Sequence, residues 1–163
     1  MSKIAFLIID LQKAFIDDRK GQKVYDDTLI YVNETAKLFR KANQPVIVIR
    51  DIEEGDGPLF DIVDDLRVEK TDIKLTKTYS NSFWKTELDD ILKKLNVDFV
   101  VISGSAAEQC ILATYNGAKE REYQAVILQH GVFADHPSGL IDLLNNRALI
   151  SYTAISYLLK KTI

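Results

Sequence analysis

Residues 98–114 read DFVVISGSAAEQCILAT, and the order of residue types within them decides the fold. An apolar, β-branched run (FVVIS) gives way to small residues, and then to a segment with helical spacing that starts near Glu108. The apolar run does not alternate with polar residues, so both of its faces are expected to be buried. Five more runs of this kind lie along the chain: IAFLII (4–9), PVIVI (45–49), DIKL (72–75), AVIL (125–128) and ALISY (148–152). Helical periodicity separates them over Asp26–Ala42, Trp84–Leu95, Glu108–Arg121, Ser138–Asn145 and Thr153–Lys161. Doubly buried strands joined by helices form a parallel sheet, and right-handed crossovers then predict a three-layer α/β/α, doubly wound, Rossmann-like domain. In such a sheet ligands bind beyond the carboxyl ends of the strands.

The chain has 163 residues, 47% hydrophobic and 28% charged, which suits one compact domain over residues 1–163. A formal net charge of -3, with lysines interleaved among acids, leaves no basic face for a nucleic-acid partner. The chain has a single cysteine and so no internal disulfide, which points to a reducing compartment. IAFLII resembles a signal core only briefly, because Asp10 interrupts it and no small-residue cleavage site follows. No later apolar run is long enough to span a bilayer. A cytoplasmic protein with no membrane partner is therefore expected. The acidic segment 51–71, DIEEGDGPLFDIVDDLRVEKT, reads as a loop with a short helix that covers the site.

Applied to the polar residues, the strand-end rule selects three. Asp10 ends the first strand, Lys77 follows the third, and Cys110 follows the fourth near a helix start. Each has an ordinary reading: a helix cap, a solvated lysine, a small buried hydrophobe. Their convergence at one edge of the sheet points to chemistry. A sulfur beside helix N-terminal amides and a lysine is predisposed to be a nucleophilic thiolate.

Three blocks in register carry a resemblance: DLQKAF at 10–15, KTYSNSF at 77–83 and GSAAEQC at 104–110. Together they resemble the signature blocks of the isochorismatase-like cysteine hydrolases, a superfamily that includes nicotinamidases and N-carbamoylsarcosine amidases. The resemblance implies a six-stranded parallel sheet and a triad with Asp10 as base, Lys77 as cationic partner and Cys110 as nucleophile. It also implies a cis peptide between Ser105 and Ala106, and an oxyanion hole formed by the backbone N–H groups of Ala106 and Cys110. The reaction it implies is hydrolysis of a small molecule at a carboxamide or related C–N bond through a thioester, with no cofactor. Two alternatives stand beside it: isochorismatase-type hydrolysis of a vinyl ether, and an inert binding or redox-sensing member of the fold.

Gln12, Phe15, Tyr79, Phe83 and Trp84 fall within or beside these blocks and are the expected substrate pocket, although core packing is expected for at least two of the aromatics. Several positions depart from the family pattern. The second strand ends in IRDIEEGDG, with Asp51 but without the histidines that bind a metal in nicotinamidases, so no metal is expected. His130-Gly131 stands where an Asp-Ala pair is common after the fifth strand. Glu108 precedes the cysteine and is expected to point outward. His136 is not expected to be catalytic, and Asp135 or Ser138 reads as the cap of the next helix. A dianionic substrate would call for arginine or lysine contacts that the strand ends do not offer, so a neutral or weakly charged amide is favoured. The resemblance also implies a homo-oligomer, a dimer or larger, with AISYLLKKTI as one candidate contact.

Overall fold

The computed structural model describes residues 3–160. The elements run β1 (Lys3–Ile9), α1 (Lys13–Ile16), α2 (Lys23–Lys41), β2 (Val46–Asp51), β3 (Ile73–Lys77), α3 (Leu88–Lys94), β4 (Val97–Gly104), α4 (Leu112–Glu120), β5 (Gln124–Val132), α5 (Pro137–Asn146), β6 (Leu149–Ile150) and α6 (Tyr152–Lys160). All six strands are parallel and lie in the order β3-β2-β1-β4-β5-β6. The chain therefore builds outward from β1 through β2 to β3, then returns to the other side of β1 to lay down β4 to β6. Between β1 and β4 the direction of winding reverses, and a crevice opens there beyond the strand ends.

Alternate side chains of each central strand enter opposite cores, as the strand period of two requires. Ala5, Leu7, Ile9, Val100 and Ile102 pack with Leu88 and Leu92 of α3, Tyr115 and Ala118 of α4 and Leu143 of α5. Phe6, Ile8, Val48 and Val101 pack on the other side with Tyr25, Leu29, Val32, Ala36 and Phe39 of α2 and Ile155 of α6. Phe6 and Phe39 stack with ring centroids 5.2 Å apart and are fully buried. Burial of such a side chain contributes about 1.5–3 kcal/mol. The unalternated apolar runs of β1, β2 and β4 therefore correspond to strands largely covered on both faces, whereas the edge strands depart from that expectation: β3 alternates half-buried and exposed residues, and both residues of β6 are half-buried.

The element boundaries differ from the periodicity in ways that have local causes. The helix expected from Trp84 begins only at Leu88, because Lys85 adopts a φ of +53° and Thr86 Oγ1 accepts the Leu88 N–H at 3.3 Å. The segment expected as one helix from Glu108 is divided: residues 107–111 form a widened turn in which Gln109 has φ -119° and ψ -109°, and α4 follows. β5 runs through His130-Gly131 to Val132, so this pair lies inside the strand, with His130 at φ +63°. ALISY yields only a two-residue strand, since Tyr152 opens α6, and Lys161 lies outside the described residues.

Candidate active site

Four side chains meet at the switch point. Asp10 follows β1, Asp51 is the last residue of β2, Lys77 is the last of β3, and Cys110 lies in the turn after β4. Lys77 Nζ donates to Asp51 Oδ2 at 2.7 Å and to Cys110 Sγ at 3.3 Å, and lies 2.9 Å from Asp10 Oδ2. The strand ends force this convergence. Gly104 closes β4 at φ +124°, where an added Cβ would meet Ile9 O at 1.9 Å, so only glycine permits the approach of β4 to β1. Beyond it the Ser105 N–H donates to Ile9 O at 2.9 Å, and the Ser105–Ala106 peptide is cis. Asp10 itself has φ +53° and caps no helix; the residue preceding α1 is Gln12.

Burial dominates the electrostatics. Asp10 is 2% exposed, and desolvation pushes its carboxyl up to about 6 against the opposing pull of Lys77. Cys110 is pushed up to about 12, first by burial and then by the negative charge of Asp10. Burial alone would lower Lys77, but Asp10, Cys110 and Asp51 outweigh it and hold the ammonium above its ordinary value. Burial and the adjacent carboxylate thus favour the protonated thiol, which leaves its proton for Asp10 to take. Its position beside helix amides and a lysine does not offset its desolvation and an adjacent carboxylate. Between about pH 6 and 12 the Asp10–Cys110 pair holds one proton, under an ammonium that never leaves.

The ligand atoms of Asp10, Asp51 and Cys110 lie within 4.8 Å of one another, a spacing that suits a cation. The Lys77 ammonium touches an atom of each and supplies that charge from the chain itself.

Above these groups lies a cavity of about 420 Å³ lined by Asp10, Ala14, Phe15, Asp51, Glu53, Glu54, Ser80, Ser105, Ala106, Gln109, Cys110 and Asp135. The acidic segment supplies part of its wall, and carries the expected short helix at Pro58–Phe60. Of the five expected pocket residues only Phe15 lines it. Phe83 is buried in the core, stacked on Tyr123 at 5.7 Å, while Tyr79 and Trp84 are 41% and 51% exposed. Gln12 is fully buried beneath the cavity as a brace: its Nε2 donates to Asp51 O at 2.8 Å and Phe60 O at 2.7 Å, and its Oε1 accepts the Asp51 N–H at 2.7 Å. Gln12→Ala strands these backbone groups and is expected to lower unfolding stability by about 2 kcal/mol, measured by denaturant titration with an unchanged slope. A loss below about 0.5 kcal/mol would show that the brace is dispensable.

The Glu108 carboxylate reaches the start of α5, where Oε1 accepts the His136 N–H at 2.7 Å. Burial raises the carboxyl, but backbone N–H groups at Glu108, His136 and Asp135 outweigh it and the net shift is downward. Glu108 therefore does the capping that was expected of Asp135 or Ser138, and neither it nor His136 lines the cavity. His130 packs against the Tyr31 ring at a tilt of 35°, with ring centroids 4.9 Å apart, and does not line the cavity. Asp51 and Gln12 are the members of the assembly whose role the sequence did not suggest; the end of β2, beside β1 and β3, was the signal for Asp51.

A family model described as the isochorismatase domain matches residues 4–145. The isochorismatase family protein YrdC of Bacillus subtilis is 28% identical over 69% of this chain and 64% of its own length. The ureidoacrylate amidohydrolase RutB of Pantoea ananatis is 30% identical over 63% of this chain, a match that spans only 39% of that protein. Among solved structures, N-carbamoylsarcosine amidase from Thermoplasma acidophilum superposes with a TM-score of 0.79 at 22% identity, covering 91% of this chain and 95% of that one, which shows a shared fold.

Proposed function

Because this chain belongs to the isochorismatase family of hydrolases, we propose that it cleaves the C–N bond of a small carboxamide through a thioester on Cys110. The observation that carries this reading is the contact of one buried ammonium, Lys77, with both Asp10 and Cys110 at the floor of the cavity. Asp10 takes the thiol proton and the sulfur attacks the carbonyl carbon. Asp10 Oδ1 is buried and makes no hydrogen bond, so it is free to accept that proton. Once the proton has moved, Asp10 no longer repels the sulfur, and the Lys77 ammonium, still paired with Asp51, lies against the thiolate. The tetrahedral oxyanion is held by the backbone N–H groups of Ala106 and Cys110, both at the cavity wall. Asp10 then returns its proton to the amide nitrogen, the C–N bond breaks, and ammonia or an amine leaves. Water attacks the thioester, giving its proton to Asp10 and then to the departing sulfur, which restores the thiol and releases the acid.

The amide substrates named for RutB and for the Thermoplasma enzyme support this class over a vinyl ether. The absence of lysine, arginine and histidine among the lining residues also disfavours a dianion such as isochorismate. A redox-sensing role is disfavoured by the raised thiol pKa, since sensor cysteines are low-pKa thiols.

The test is ammonia release from a panel of small amides, with mass spectrometry for an acyl adduct on Cys110; turnover with no adduct would overturn the thioester. For an active substrate, kcat/KM is expected to rise about tenfold per unit up to an apparent pKa of about 6 and then stay level to at least pH 10, because ionised Asp10 is required and the thiol loses its proton only at about 12. An acid limb near the ordinary carboxylate value of 3.8 would show that burial does not raise the carboxyl of the acting base.

A further inference from the structure

We propose that the substrate of this site is a carboxamide carrying a positive charge, an ammonium or other cationic group, selected by Glu53 and Glu54. The inference rests on the amidase reading above and adds the substrate's charge to it.

Five of the twelve residues that line the cavity are carboxylates: Asp10, Asp51, Glu53, Glu54 and Asp135. Their charges are not equally available. Asp10 and Asp51 share the single ammonium of Lys77, at 2.9 and 2.7 Å. Asp135 has Arg19, whose Nη2 lies 3.5 Å from its Oδ1 and whose guanidinium rests over the Phe133 ring at 5.7 Å. Glu53 and Glu54 are exposed and form no ion pair among the described residues. They stand on the segment that leaves β2, held in place where the Glu53 N–H donates to Asp51 Oδ1 at 2.8 Å. This leaves a surplus of negative charge at a concave wall, where low-dielectric surroundings concentrate the field.

A second feature, independent of the rim, also calls for a donor. Asp10 lines the same cavity, and its buried Oδ1 has no hydrogen-bond partner in the structure. The carboxamide N–H groups suit that acceptor at the floor while a cationic tail meets the glutamates at the rim. Phe15, the one aromatic residue lining the cavity, offers a ring face that also suits a cation. A substrate carboxylate would find only neutral polar partners in the wall, Ser80, Ser105 and Gln109, among the acids.

Cys110 is the chain's only cysteine, so labelling reports on this cavity alone and requires no turnover. The probes are a cationic and an anionic methanethiosulfonate of matched size, ethyltrimethylammonium and ethylsulfonate, with 2-mercaptoethanol as the reference thiol. At about 20 mM salt the cation-to-anion rate ratio at Cys110 is expected to exceed the reference ratio by about tenfold or more. It should fall toward the reference at about 0.5 M salt and in Glu53→Gln/Glu54→Gln, which changes two exposed side chains. A wild-type ratio equal to the reference, or one the double substitution leaves unmoved, overturns the proposal. Ammonia release from 4-aminobutanamide, pentanamide and succinamate supplies the second arm. Fastest turnover of the cationic amide supports the proposal. Fastest turnover of either other amide overturns it while leaving the amidase reading intact. If none of the three is hydrolysed and no acyl adduct forms, the amidase reading fails, and the labelling ratio still decides the charge preference.

Discussion

Cys110→Ala is expected to reduce ammonia release by a factor on the order of 10⁴ or more, and Asp10→Asn to do nearly the same. The two losses should not multiply, because the sulfur and the carboxylate act on one proton in one step, and removing either removes the step. Their effects on stability should differ in kind. Asp10 is 2% exposed and its carboxyl is raised from 3.8 to about 6, so the folded state binds a proton that the unfolded chain has already released. Its contribution to stability is present below about pH 4 and lost as pH rises through 6, a cost of about 3 kcal/mol at neutral pH. Asparagine resembles the protonated acid and escapes that cost. Asp10→Asn should therefore be at least as stable as the wild type at pH 8 while inactive, with the difference disappearing near pH 4. Thermal denaturation across this range checks the stability, and ammonia assays check the activity. An Asp10→Asn protein that keeps a tenth of the wild-type rate would end the case for Asp10 as the base.

Much of this site is legible in the chain because each strand end is marked by an abrupt change from apolar to polar. IAFLII stops at Asp10, VIVIR at Asp51, and FVVIS at a glycine only a few residues before the sulfur. Parallel topology then brings those ends together, whatever their separation in sequence. The allocation of the aromatics was not legible. Phe83 and Trp84 are adjacent, yet one is 3% and the other 51% exposed: they sit in an irregular turn, where the Trp84 N–H donates to Asn81 O at 3.0 Å, and no helical or strand period assigns their faces. The state of the thiol was also out of reach. Position relative to a helix start and a lysine can be read from residue order, but desolvation depends on how tightly distant segments close over the sulfur, and here burial is the largest influence. Gln12 shows the same limit from the other side. A glutamine in a turn carries no mark that its amide will bond the backbone of residues 51 and 60. In the fold, those bonds tie the acidic wall to the turn between β1 and α1.

Lys77→Met is expected to give the largest loss of stability of any single substitution at the site, about 3–5 kcal/mol at pH 8. The side chain is fully buried, and its ammonium is the one cation in contact with Asp10, Asp51 and Cys110 among the described residues. Methionine fills the space but leaves two buried carboxylates facing each other with no counter-charge. In the wild type the Lys77 ammonium is held above its ordinary 10.5, so its contribution is fully present below that pH and is lost only as pH rises beyond it. The variant's deficit should therefore be set by the carboxylates. It should shrink toward pH 4–5, where Asp10, already raised to about 6 and deprived of the ammonium that lowers it, takes up a proton and the repulsion is relieved. The same loss moves the kinetics. With Lys77 absent the Asp10 carboxyl rises further, so the acid limb of any residual kcat/KM should shift upward from about 6, a displacement that simple destabilisation would not produce. Lys77→Arg makes the discriminating comparison: it keeps the charge but not the compact ammonium geometry, and should restore stability at pH 8 more than activity. Equal stability of Lys77→Met and wild type from pH 5 to 8 would show that the carboxylates do not depend on this cation, and the proton relay built on it would fall.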